Sequence, residues 1–114
     1  MNTPPLFIIQ RAAHHWKVNV SEILGRTKEP PVMFARIAAI GVCCQIRTDL
    51  TSVVIGRCFR GREHSTILHA KKRSKILRVE DADFEERYVR ILDDAYRWEA
   101  PKRVTVFSME GRGA

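Results

Sequence analysis

The stretch from Ser52 to Lys75, SVVIGRCFRGREHSTILHAKKRSK, constrains this chain more than any other. Val53, Val54, Ile55 and Phe59 give a short helix one apolar side, and Thr51 or Ser52 has the right chemistry to cap its start. Arg60-Gly61 interrupts the pattern, and Gly61 can take the positive φ that a sharp turn needs. A second helix follows over about 63–75, with Ile67, Leu68, Ala70 and Leu77 available to a core and His64-Ser65-Thr66 in its first turn. Two short helices about a glycine-containing turn make a helix-turn-helix, in which the N-terminal side chains of the second helix reach base edges in a major groove.

Charge points the same way. From Arg57 to Arg78 there are eight basic residues against one acid, Glu63. A solvated helix face mixes the two signs, whereas an excess of this size suits a run of phosphates. The net charge of +7 is also unevenly spread. Residues 1–78 carry 14 Lys and Arg against 4 Asp and Glu, and residues 79–114 carry 6 against 9. A basic body with an acidic end implies a polyanionic partner and a second surface turned away from it.

Residues 56–70, GRCFRGREHSTILHA, resemble the signature GRxFGGRDHSTVLHA of the C-terminal DNA-binding domain of the bacterial replication initiator DnaA. The unit WKVNVSEILG, residues 16–25, resembles the opening of the same domain, so the likeness runs over roughly 7–97 and is densest in 56–70. It implies an all-α, Trp-repressor-like domain of five to six helices that binds double-stranded DNA. In the family the positions of Glu63, His64 and Ser65 read bases, while those of Thr66, His69 and Arg36 touch phosphates. The loop holding Arg26 and Lys28 corresponds to one that sends a basic side chain into the minor groove. Three departures stand out: Glu63 replaces an aspartate, Arg60 replaces a glycine, and Glu29-Pro30-Pro31 interrupts a more basic loop.

The residues themselves suggest roles consistent with these. His64, Ser65 and Thr66 are short enough to bring the helix deep into a groove, and each can hydrogen-bond to or touch a base edge. The Glu63 carboxylate can accept from an adenine or cytosine amino group, and it also suits a helix N-terminus. Arg60 adds a cation at the turn, Arg62 braces the turn or meets a phosphate, and Lys72 and Arg73 lie farther along for the backbone.

Taken in order, Thr3-Pro4-Pro5 is a helix start with Thr3 as cap, and Leu6 to Trp16 follow with one apolar side. His14 and His15 are adjacent, so they point apart and suit no zinc site. Ser21 is expected to cap a short helix stopped by Gly25, and Arg26 to Pro31 reads as a loop. Val32 to about Arg47 is apolar nearly all round and is expected to be the buried central helix. Phe84, Tyr88, Ile91, Ala95 and Trp98 form one helical stripe after a cap at Asp81 or Asp83, with Glu85, Glu86, Asp93 and Asp94 on the far face. These elements make one domain over 1–98, and 99–114 reads as a flexible tail.

A chain of 114 residues supports a single core. It holds no apolar run of membrane-spanning length and no signal-peptide pattern. The odd count of Cys43, Cys44 and Cys58 fits reduced thiols, so a cytoplasmic, nucleoid-associated location is expected. His64 and His69 lie on different sides of their helix, and no P-loop, nucleophile elbow or paired-acid spacing is present. No enzyme activity, cofactor, metal or nucleotide is therefore expected, and a monomer on DNA is favoured. Two readings compete: a stand-alone DNA-binding protein, acting on replication-initiator boxes or in transcription, and a helical adaptor using the same scaffold to hold a protein.

Overall fold

The computed structural model describes residues 2–100, and six helices with no strand make up those residues. Helix α1 spans Pro5–Trp16, α2 Val20–Ile23, α3 Val32–Ile46, α4 Ser52–Cys58, α5 His64–Glu80 and α6 Ala82–Arg97. The all-α architecture of five to six helices is thus present. Of the tail expected over 99–114, residues 101–114 lie outside the described residues.

Helix α3 has almost no polar side, and the fold buries it accordingly. Ala35 and the run from Ile37 to Cys43 are covered, and α3 touches each of the other five helices. Helices α1 and α6 run antiparallel beside it, with Trp16 against Phe84 at one end and Thr3 against Ala95 at the other. The α6 stripe buries Phe84, Tyr88, Ile91 and Ala95, while Trp98 lies past the helix end beside Phe7. Tyr88 donates its hydroxyl hydrogen to Gln45 Oε1 at 2.9 Å, and the Arg78 guanidinium covers its ring at 4.3 Å. Arg78 also grips Glu85 through both carboxylate oxygens, which ties the end of α5 to α6.

Several local expectations are corrected. Thr3 does not cap α1: it is only 1% exposed, and its hydroxyl donates to Ala95 O at 2.8 Å. Pro4 and Pro5 bring no N–H to the first turn, and the Pro4 carbonyl accepts from Phe7 and Ile8, so little remains for a hydroxyl to cap. Helix α2 starts before Ser21, because Asn19 is its N-cap and the Glu22 carboxylate reaches back to the Asn19 N–H at 2.9 Å. At α6 the cap is Asp81, whose side chain accepts from Phe84 N, while Asp83 lies inside the helix and pairs with Arg87. The acidic far face of α6 is not simply solvated. Asp94 holds Arg11 and His15 at 2.8 and 2.7 Å, and Glu85 holds Arg78.

Candidate nucleic-acid interface

Helices α4 and α5 meet across a turn whose geometry is set by a cap, a close approach and two left-handed residues. Thr51 caps α4, its hydroxyl oxygen accepting from Val54 N at 3.2 Å. Gly56 lies so close to the chain after the turn that a Cβ there would overlap the Arg62 carbonyl oxygen, while the Gly56 carbonyl accepts from Arg62 N at 3.0 Å. Arg60 and Gly61 both adopt left-handed backbone, with φ of 60° and 77°. Ile55, Phe59 and Ile67 then close a fully buried wedge between the two helices.

Helix α5 is longer than the sequence suggests, reaching Glu80. Glu63 is its N-cap residue, although its carboxylate makes no capping hydrogen bond. Glu63, His64, Ser65, Thr66, His69, Lys72 and Arg73 are all exposed, as is Arg60 in the turn. Leu68 and Val53, both expected in the core, are 49% and 47% exposed instead. Each sits about a quarter-turn from the buried side of its helix, a distinction that a short apolar run does not reveal.

Facing the start of α5 is the loop after α2, which carries Arg26 and Lys28. Two arginines hold this loop from beneath. Arg36 is 9% exposed, and its Nε and terminal nitrogens donate to the carbonyls of Ile23, Thr27, Glu22 and Gly25 at 2.7, 2.7, 3.0 and 3.2 Å. A guanidinium has five N–H donors, so one is left over. Arg62 donates to Phe59 O and Leu24 O at 3.0 and 3.4 Å and also to Gly25 O. Both side chains are held below the ordinary arginine pKa, first by burial, then by a neighbouring cation: Arg62 acts on Arg36, and Arg26 acts on Arg62. Positive charge is thus crowded here, and among the described residues no carboxylate hydrogen-bonds to either guanidinium.

The result is a cleft of about 760 Å³ between the loop and α5. Arg26 and Lys28 form one wall, Thr66, His69 and Arg73 the other, and Arg36, Arg62 and Glu63 also line it. His64 lies around the corner in a smaller recess with Val53 and Arg57. Ser65, Lys72 and Arg60 line neither hollow. Arg57 belongs to the basic excess of the sequence, which gives it no site role, and only the packing of α4 against α5 brings it beside His64.

Ion pairing separates this face from the rest of the molecule. All seven ion pairs among the described residues lie on α1, α6, the segment just after α3 or the last turn of α5. None involves the loop, α4, the turn or residues 64–77. The cations of α6 are neutralised within the protein, while those around the helix-turn-helix are not.

Residues 6–73, more than half of the chain, match the family model of the bacterial DnaA protein helix-turn-helix. The chain belongs to this family. The matched span runs from α1 into the middle of α5 and contains the loop, the turn and the exposed start of α5. The rest of α5 and the whole of α6 lie beyond it, yet they supply Leu77, Phe84, Tyr88 and Ile91 to the same core. A DnaA-type helix-turn-helix is a DNA-binding unit, and no helix among the described residues is long and apolar enough to cross a membrane.

Proposed function

We propose that the chain binds double-stranded DNA sequence-specifically, with the first two turns of α5 in the major groove. Glu63, His64 and Ser65 face base edges, and Arg60, Thr66, His69, Lys72 and Arg73 face phosphates. Arg26 and Lys28 reach the adjacent minor groove from the loop, so that one strand's backbone runs along the cleft between loop and helix. Arg36 and Arg62 act mainly by holding the loop at its height above α5. Arg36 retains a single N–H for a phosphate. Replication-initiator boxes in the nucleoid are the proposed sites, with regulation of initiation or competition for those boxes as the role.

The observation that carries this reading is the set of cations around the exposed start of α5 that have no carboxylate partner among the described residues, against a fully paired set on α6. Desolvated or clustered cations without internal partners favour an external anion, and a groove-sized helix among them favours nucleic acid. Selection from a pool of random duplexes tests it. One short recurring motif is expected. Recovery of no motif would favour the adaptor reading, in which the same scaffold holds a protein.

A further inference from the structure

Helix α5 has two flanks, and only one of them borders the cleft. Residues follow each other by about 100° around a helix, and Ile67, Ser74 and Leu77 mark the buried side of α5. Ser65, His69 and Ile76 point away from it. Thr66 and Arg73 lie on the flank facing the loop, in the cleft already described. Lys71 and Lys75 lie on the other flank, toward the end of α3 and the start of α4.

That second flank has its own shape. Leu68 and Lys71 line a recess of about 280 Å³ with Cys44, Thr48, Leu50 and Ser52. Lys75 is not part of its lining but follows Lys71 by one turn on the same flank; burial raises the Cys44 thiol pKa, and the charges of Lys71 and Lys75 oppose the rise. Neither lysine has an ion pair among the described residues, whereas Arg78, one turn on from Lys75 and two from Lys71, is held by Glu85. Thr48 is exposed and Ser52 half-buried, and both share the recess with Lys71. Both lysines lie past the dense motif at residues 56–70, Lys71 inside and Lys75 outside the matched span 6–73.

A helix lying in a major groove has a phosphate strand on either side. We infer that Lys71 and Lys75, with Thr48 and Ser52 in the recess that Lys71 lines, hold the strand on the α4 side, so that α5 is gripped from both strands rather than from the cleft alone. This rests on the DNA-binding reading above. Long flexible ammonium stems suit point contacts to phosphates, which position the helix without reading sequence.

The test uses the whole chain and the Lys71→Gln/Lys75→Gln variant, which keeps polar stems of similar bulk. Both are titrated against a 20-base-pair duplex carrying the motif recovered by selection, over a range of salt concentrations. The variant should flatten the log–log salt slope by about two units, because each neutralised phosphate contributes about 0.9. Two further duplexes carry uncharged methylphosphonates on one or other bordering strand. Neutralising the α4-side strand should weaken the wild type and leave the variant nearly unaffected. Neutralising the loop-side strand should weaken both equally. Lys75→Gln alone, at an exposed position, should give about one unit and guards against misfolding at the half-buried Lys71. A variant with the wild-type slope and wild-type sensitivity to both strands overturns this inference while leaving the DNA-binding reading intact. Failure of the wild type to bind any duplex at low salt overturns both.

Discussion

Arg60 occupies a backbone position, φ 60°, that a residue without a Cβ adopts more easily, and the next residue is a glycine at φ 77°. A non-glycine residue in left-handed backbone costs on the order of 1 kcal/mol. The side chain makes no hydrogen bond or ion pair among the described residues that would offset this, and it projects from the turn next to the start of α5. Arg60→Gly should therefore move two properties in opposite directions. Thermal and urea denaturation should show a gain of roughly 0.5–1 kcal/mol, and the salt slope of duplex binding should flatten by about one unit. A variant that is more stable yet binds with an unchanged slope would remove Arg60 from the phosphate contacts. At Gly61 an added Cβ meets nothing within 4 Å, so backbone conformation rather than space selects glycine there.

At the scale of elements, the loop and α5 form one device because Arg36 and Arg62 converge on the same short run of carbonyls. Removing one guanidinium leaves several half-buried carbonyls without donors, each at about 1–3 kcal/mol. Lysine cannot substitute, since one ammonium does not span carbonyls arranged around a planar fork. Arg36→Lys is therefore expected to destabilise the fold by about 2–4 kcal/mol in urea and to loosen the loop, seen as faster amide exchange over residues 24–29. Wild-type stability and exchange in that variant would mean the carbonyl network is not what holds the loop. Helices α1 and α6 are joined by a different contact. Partial burial alone would raise the Asp94 carboxyl pKa, but hydrogen bonds from Arg11 and His15 more than offset it and hold the group below the usual aspartate value. A carboxyl lowered in the folded state stabilises fully above the unfolded pKa of about 3.9 and loses that contribution as pH falls through the folded value. Stability should thus decline below about pH 4, and Asp94→Asn should be less stable at neutral pH with a shallower acid limb in denaturation curves. An identical acid limb in both proteins would assign the decline to other carboxylates.

Across the whole molecule, the division between a self-neutralised half and an unpaired basic half follows the division of charge along the chain. The helix-turn-helix, the buried α3 and the α6 stripe were all legible in the sequence, because each rests on local periodicity, a glycine or a dense motif. What was not legible depends on partners far along the chain. Thr3 becomes a buried donor only because Ala95, 92 residues away, lies over it. Arg36 and Arg62 look like free cations until the loop carbonyls are folded onto them, and Lys71 becomes part of a flank only when α3 and α4 supply the recess. The exposure of Val53 and Leu68 likewise depends on which quarter of each helix the core takes, and short apolar runs do not encode that. In the proposed complex the first turn of α5 reads bases while the surrounding cations hold phosphates. The most direct test titrates the wild type and His64→Ala/Ser65→Ala against the duplex recovered by selection and against a scrambled duplex of equal length. The expected result is a loss of about 1–3 kcal/mol per missing base contact on the selected duplex, with affinity for the scrambled one nearly unchanged. A fall by the same factor on both duplexes would contradict it.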